Sequence, residues 1–249
     1  MLEDFAKQLQ RRLSYVVLQE YPQHHKINYF MPYYLLKKGP WKSIGWFTHQ
    51  EEEREDLKAK FKWAAMNADY CISHSYKYAH LIESWGIKKV IQILPGISHN
   101  KFKPKVRLGF VGRLYSSTNR KNPQLLEQVK KLGYVELKAT NGKLKAKDLP
   151  DFYRSLDAVF VASTVEGGPM CIQEGLACGI PVIAPSGVGV VDEFSGAAII
   201  KYKKGDFSSA RKAIKTIYER KTRLSKTVSG QTWDEFAKRH DRIFRMFEK

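Results

Sequence analysis

Residues 162–185 read A-S-T-V-E-G-G-P-M-C-I-Q-E-G-L-A-C-G-I-P-V-I-A-P and set two carboxylates, Glu166 and Glu174, on either side of Gly167-Gly168-Pro169. The apolar run at 157–161 leads into this stretch and Val182-Ile183-Ala184 leaves it. The order is strand, glycine turn, helix, strand, which is one step of a parallel sheet. Pro169 suits a first helical position, where its missing N–H would have no partner in any case, and Gly179 suits the left-handed residue that stops the helix. The spacing therefore predicts a helix over residues 169–178. Gly167 and Gly168 remove side chains in front of that helix start, where bare N–H groups and partial positive charge favour an anion.

A helix opening at Pro169 carries Glu174 about 7.5 Å along its axis, at ~1.5 Å per residue, and leaves Glu166 below its start. Carboxylates on the order of 10 Å apart lie beyond the roughly 5–9.5 Å of a glycosidase pair that flanks one bond. They suit two different parts of one extended ligand. One carboxylate accepts two hydroxyl hydrogen bonds, so the spacing fits a ribose at one end, a sugar ring at the other and a diphosphate at the helix start.

These residues resemble the E-x7-E region of the retaining glycosyltransferases of family 4, whose GT-B fold consists of two facing Rossmann-like domains. The resemblance implies that Glu174 holds the ribose of a nucleotide-diphosphate sugar, UDP- or GDP-linked. It implies also that Glu166 lies by the transferred sugar, and that Gly167, Gly168 and Pro169 carry the backbone that meets the sugar and its phosphate. V-G-R-L at 111–114, followed by R-K-N-P at 120–123, is similar to the family's Gly-Arg…Lys element, with a longer loop between. It implies that Arg113 and Lys121 neutralise the diphosphate, with Arg120 as a rival for the second role. Fixed cations there lower the barrier as negative charge grows on the leaving group, so the resemblance calls for no metal. F-T-H-Q puts His49 where the family has a histidine near the donor sugar. The run S-G-V-G-V-V-D-E after Pro185 looks like the family's glycine loop, in which Gly187 offers an N–H to the donor.

With 249 residues and 43% hydrophobic content, the chain can build two compact domains. The expected division is an acceptor-side domain at 1–104, a nucleotide-sugar domain at 105–230 and a last helix at 231–249 that returns to the first domain. In the first domain the pattern predicts strands at 15–19, 43–49, 69–73 and 90–94, alternating with helices ending near 68 and spanning 76–85. In the second it predicts strands at 106–111 and 134–139, with helices from Asn122-Pro123 to about 132, at 147–156, and from Gly205-Asp206 to about 220. Family members usually have more strands in both domains, so both are expected to be abbreviated.

Lys and Arg number 43 against 25 Asp and Glu, a formal charge of +18 that favours anionic partners. The three cysteines, Cys71, Cys171 and Cys178, have no metal-ligand spacing and an odd count, which points to core packing. No apolar run is long enough to span a bilayer and no signal-peptide pattern is present, which predicts a cytoplasmic protein. Leu2, Phe5, Leu9, Leu13 and Val16 or Val17 form an apolar stripe on a basic N-terminal helix. That stripe either packs on its own domain or docks on an anionic membrane surface.

The resemblance thus implies an α/β, GT-B protein that moves a sugar, with retention of configuration, from a nucleotide-diphosphate donor to a hydroxyl of a carbohydrate, lipid-linked or protein-linked acceptor. Two other classes use the same residues: a nucleotide-sugar epimerase with the same donor site, and a non-catalytic basic binder of nucleic acid or lipid. The basic residues show no interleaved aromatic pattern and no nucleic-acid motif, which counts against nucleic acid.

Overall fold

The structure, a computed structural model, describes residues 2–247 apart from His25 and Ser116. The side chain of Leu2, the first position of the predicted stripe, lies outside that description, as does Ser116 of the predicted basic loop. The chain forms two compact units, Met1–Phe102 with Ser229–Lys249, and Lys103–Val228. Each is an α/β layer structure around a wholly parallel sheet, of four strands in the first and five in the second.

In the first unit the elements are α1 (Leu2–Gln10), β1 (Ile27–Phe30), β2 (Lys42–Phe47), α2 (Glu55–Asn67), β3 (Tyr70–Ser73), α3 (Tyr76–Ser84) and β4 (Val90–Gln92). The strands lie in the order β1-β2-β3-β4. Alternation along β2 and β3 sends Ile44, Trp46 and Ile72 to one face and Phe47 and Cys71 to the other. Phe5 and Leu9 of α1 cover the first face together with Phe236, Ala237, Ile243 and Phe244 of the last helix, whereas Phe61, Ala64 and Ala65 of α2 and Ile82 of α3 cover the second. Packing on its own unit is therefore what the N-terminal stripe does. The strand expected at 15–19 is absent: the segment is irregular, with Tyr15, Val17 and Leu18 exposed, and Val16 turns back through its N–H to the Leu13 carbonyl. The sheet edge is instead taken by β1, which has only Phe30 buried and so carries little periodic signal.

The second unit continues with β5 (Val106–Phe110), α4 (Pro123–Lys130), β6 (Val135–Ala139), α5 (Leu149–Arg154), β7 (Ala158–Phe160), α6 (Cys171–Ala177), β8 (Val182–Pro185), β9 (Ile199–Tyr202) and α7 (Phe207–Lys226). Its strand order is β6-β5-β7-β8-β9. Leu125, Leu126 and Val129 of α4 and Ala210, Ala213, Ile214 and Ile217 of α7 cover one face of the sheet. Tyr153 of α5 and Cys171 and Ile172 of α6 cover the other. α7 outruns its expected end near 220: no Gly or Pro interrupts it before Lys226, and Arg223 and Lys226 sit in its last turn, where basic side chains suit the helix dipole. α8 (Trp233–Arg245) closes the chain within the first unit, with Thr232 as its N-cap.

Burial pushes the Cys71 and Cys171 thiols up to about 12, in keeping with core roles. Among the described residues no helix is long and apolar enough to cross a membrane.

Candidate functional site

β5 and β7 are neighbours in the second sheet, yet the chain leaves them for opposite faces, to α4 from β5 and to α6 from β7. Loops that diverge this way open a crevice beyond the carboxyl ends of the two strands, the place where open parallel sheets bind ligands. Gly112, Arg113 and Lys121 come from the β5 loop, and Ser163, Glu166, Gly167 and Gly168 from the β7 loop. The two loops are tied together by Thr164, whose N–H and hydroxyl both donate to the Arg120 carbonyl, at 2.7 and 3.3 Å.

Lys121 and Glu166 meet in this crevice as an ion pair, their side chains only 13% and 11% exposed. The Ser163 hydroxyl donates to Glu166 Oε1 at 2.9 Å. Burial alone would raise the Glu166 carboxyl, but hydrogen bonds from Lys121 and Ser163 and the charges of Lys121 and Arg120 hold it below the usual carboxylate range. Of the two rival cations, Lys121 is thus the one that reaches the crevice carboxylate. Arg113 is exposed and lies flat on the turn after β6, where a Cβ at Gly142 would fall 2.2 Å from its Nε. Gly142 has φ +69, a left-handed conformation that favours glycine there. The turn is fixed to β5 by the Gly112 N–H, which donates to Thr140 Oγ1 at 3.1 Å.

α6 begins at Cys171, two residues later than expected, because Pro169 and Met170 form a tight first turn in which Ile172 N–H reaches the Pro169 carbonyl. Gly179 ends it with φ +74, as anticipated. A Cβ at Gly175 would lie 2.7 Å from Val159 Cγ2, so this glycine lets α6 sit against β7. Its neighbour Glu174 is half-buried and accepts a short hydrogen bond from Tyr153 Oη, 2.5 Å from Oε2. Burial and that bond raise the Tyr153 phenol, which stays a donor. Gly167, which precedes the helix, differs from Gly175: a Cβ there would meet no protein atom within 4 Å. Its bare backbone faces open space.

Gly187 was expected to turn an N–H toward the donor, and here the structure differs. That N–H donates to Asp192 Oδ2 at 2.6 Å, and Asp192 also pairs with Lys201 at 3.0 Å. The carboxylate five residues on captures the amide, as short acidic side chains do in glycine loops. The loop nevertheless reaches the crevice, because a Cβ at Gly189 would fall 2.5 Å from the Gly167 carbonyl oxygen. His49 belongs to the first unit, where it follows β2, is exposed and lies with Nε2 2.9 Å from Glu51 Oε1. Tyr153 and Ser163 are the supporting residues that sequence reading missed. Ser163 stands three residues before Glu166, a spacing that marks local side-chain turns, whereas nothing in the sequence links Tyr153 to a residue 21 positions away.

This layout defines an α/β protein with a ligand crevice at the sheet's switch point. Residues 75–229, more than half of the chain, match the family model described as glycosyl transferases group 1. The chain belongs to that family. It is 30% identical over 108 residues to a probable transglycosylase of Burkholderia thailandensis, a match that takes in 43% of this chain and 25% of that one. The chain thus spans about a quarter of the length of that curated relative. Among solved structures it is similar to Anabaena HepE in complex with UDP-glucose, at 16% identity over 79% of this chain and 66% of the other, with a TM-score of 0.38. It is similar also to the lipopolysaccharide outer core galactosyltransferase WaaB, at 18% identity over 81% and 67%, TM-score 0.38.

Proposed function

We propose that the chain transfers a sugar from a nucleotide-diphosphate donor, UDP- or GDP-linked, to a hydroxyl acceptor with retention of the anomeric configuration. The observation that carries the reading is the Lys121–Glu166 pair in the crevice between β5 and β7, with Arg113 on the same loop as Lys121. In this reading the diphosphate lies before the α6 turn at Gly167, Gly168 and Pro169, where the Gly167 backbone is open to an added Cβ. Arriving phosphate oxygens compete with Glu166 for Lys121 and release that carboxylate toward the sugar. Arg113 and Lys121 then stabilise the charge that grows as the sugar–phosphate bond breaks. Glu174, held by Tyr153, accepts the ribose hydroxyls. The acceptor hydroxyl attacks the face from which the diphosphate departs, and its proton leaves with that diphosphate, so the atoms balance without a covalent sugar–protein intermediate.

The test is release of nucleoside diphosphate from a panel of UDP- and GDP-sugars with simple glycosides as acceptors. Glu174→Ala is expected to raise mainly the donor KM, because the ribose contact is made equally before and during reaction. Arg113→Ala is expected to lower kcat as well, because its partner charge develops in the transition state. Nucleotide release no faster than in buffer across the whole panel would overturn the reading.

A further inference from the structure

Once a diphosphate draws Lys121 away from Glu166, the crevice holds a carboxylate only 11% exposed and without its cation. A charge that far out of water needs another partner to stay ionised. Ser163 keeps its hydrogen bond of 2.9 Å, but a hydroxyl brings no charge. From α6 the titratable neighbour is the Cys171 thiol, which burial pushes up to about 12 and so keeps neutral.

Arg120 is the remaining cation, and the β5 loop prepares it for the task. Its backbone is fixed. The carbonyl accepts the Thr164 N–H at 2.7 Å and the Thr164 hydroxyl at 3.3 Å, two residues before Glu166, and its own N–H donates to Thr118 Oγ1 at 3.2 Å. Thr118 in turn forms an antiparallel bridge with Tyr115. The Arg120 side chain, by contrast, is exposed and pairs with no carboxylate among the described residues. Its guanidinium rests 5.6 Å from the centre of the Tyr115 ring. From there its charge already acts on Glu166, beside that of Lys121. An exposed cation–π contact is weaker than a charge-assisted hydrogen bond to a largely buried carboxylate, so the guanidinium gains by moving once Glu166 is vacated.

We infer that Arg120 takes over Glu166 when a nucleoside diphosphate claims Lys121, a partner exchange that keeps the carboxylate ionised beside the sugar; the inference rests on the glycosyl-transfer reading. The charges close in this arrangement. A diphosphate with two negative charges meets Arg113 and Lys121, which leaves Arg120 for Glu166. Arg120 acts through Glu166 rather than on the donor and is a positioning residue.

Carbon-13 NMR of the glutamate side-chain carboxyls tests the exchange, with the Glu166 signal assigned by its loss in Glu166→Gln. Wild type, Arg120→Ala and Arg120→Lys are titrated with pH, each alone and with saturating UDP or GDP. Without nucleotide Lys121 still holds Glu166, so Arg120→Ala is expected to move the Glu166 titration only slightly. With nucleotide bound, Arg120→Ala is expected to move it up by about 1–3 pH units, the effect of losing an opposite charge at close range, and Arg120→Lys to restore most of the wild-type behaviour. Nucleotide that binds while Glu166 titrates alike in wild type and Arg120→Ala would overturn the exchange and leave the donor reading standing. Equal shifts in the free and bound forms would overturn it too, because Arg120 would then be a constant neighbour and not a relieving partner. Binding of neither nucleotide would overturn the donor reading and the exchange with it.

Discussion

Lys121 and Glu166 come from loops that leave β5 and β7 for opposite faces of the sheet, and they pair in the crevice between those loops with almost no exposure to solvent. A residue expected to hold phosphate and one expected to lie by the sugar therefore satisfy each other first. A buried pair broken from one side leaves its other member charged and unpartnered. Lys121→Met is expected to lower stability by about 1.5–3 kcal/mol, the range for a hydrogen bond to a charged group. Lys121→Met with Glu166→Gln is expected to lose less than the two single changes added together. A double-mutant cycle by urea unfolding measures this; strict additivity would mean that the pair does not couple.

Tyr153 acts through Glu174 rather than on the ligand. Tyr153→Phe keeps the buried ring and removes only the hydroxyl 2.5 Å from Glu174 Oε2. It is expected to raise the donor KM a few-fold with kcat unchanged, in parallel with Glu174→Ala but more weakly. Initial rates at varied donor concentration check this, and an effect on kcat alone would remove the positioning role.

The strand, glycine turn and helix between residues 157 and 185 were legible because each signal is local: an apolar run, a proline at a helix start, a glycine past its end. The two-sheet α/β architecture followed from the same alternation repeated. The strand expected at 15–19 failed because β-propensity needs a neighbouring strand to act on, and Ile27–Phe30 takes that edge instead. Gly187 was read as a free donor because the Asp192 carboxylate that captures its N–H returns through a short helical turn that sequence does not draw. The Lys121–Glu166 pair escaped for the same reason. It depends on how two loops, 45 residues apart in the chain, are brought together.

Two glycines of the loop after β8 separate conformational need from spatial need. Gly187 has φ +71 with open space around its missing Cβ, so Gly187→Ala is expected to cost about 1–2 kcal/mol, the left-handed penalty alone. Gly189 has φ +54, and its Cβ would also strike the Gly167 and Glu166 carbonyl oxygens at 2.5 and 2.7 Å. Gly189→Ala is expected to destabilise more than Gly187→Ala and to disturb the crevice loop. Thermal unfolding of both variants decides, and equal losses would contradict the close approach.

His240 is fully buried among Trp46, Phe236 and Phe244, with Nε2 3.0 Å from the Tyr29 hydroxyl and Nδ1 2.8 Å from the Phe236 carbonyl. Burial pulls it from its ordinary 6.5 down to about 4. The folded state therefore favours the neutral ring, and the unfolded chain takes up the proton more readily. Stability is fully present above pH ~6.5 and falls as the pH drops toward 4, by roughly 3 kcal/mol in all at ~1.4 kcal/mol per unit. His240→Gln keeps hydrogen bonding without titrating, so its unfolding midpoint is expected to depend less on pH across that window. An unchanged slope would rule His240 out as the cause.

Titration calorimetry of UDP and GDP into the wild type and Arg113→Ala tests the central claim most directly. Arg113 is exposed, so the variant keeps its fold. The predicted result is binding of one nucleotide to the wild type and an affinity about 10–100-fold lower in Arg113→Ala, as loss of a charged phosphate contact implies. No binding of either nucleotide at millimolar concentration, or equal affinity in the two proteins, would contradict the account.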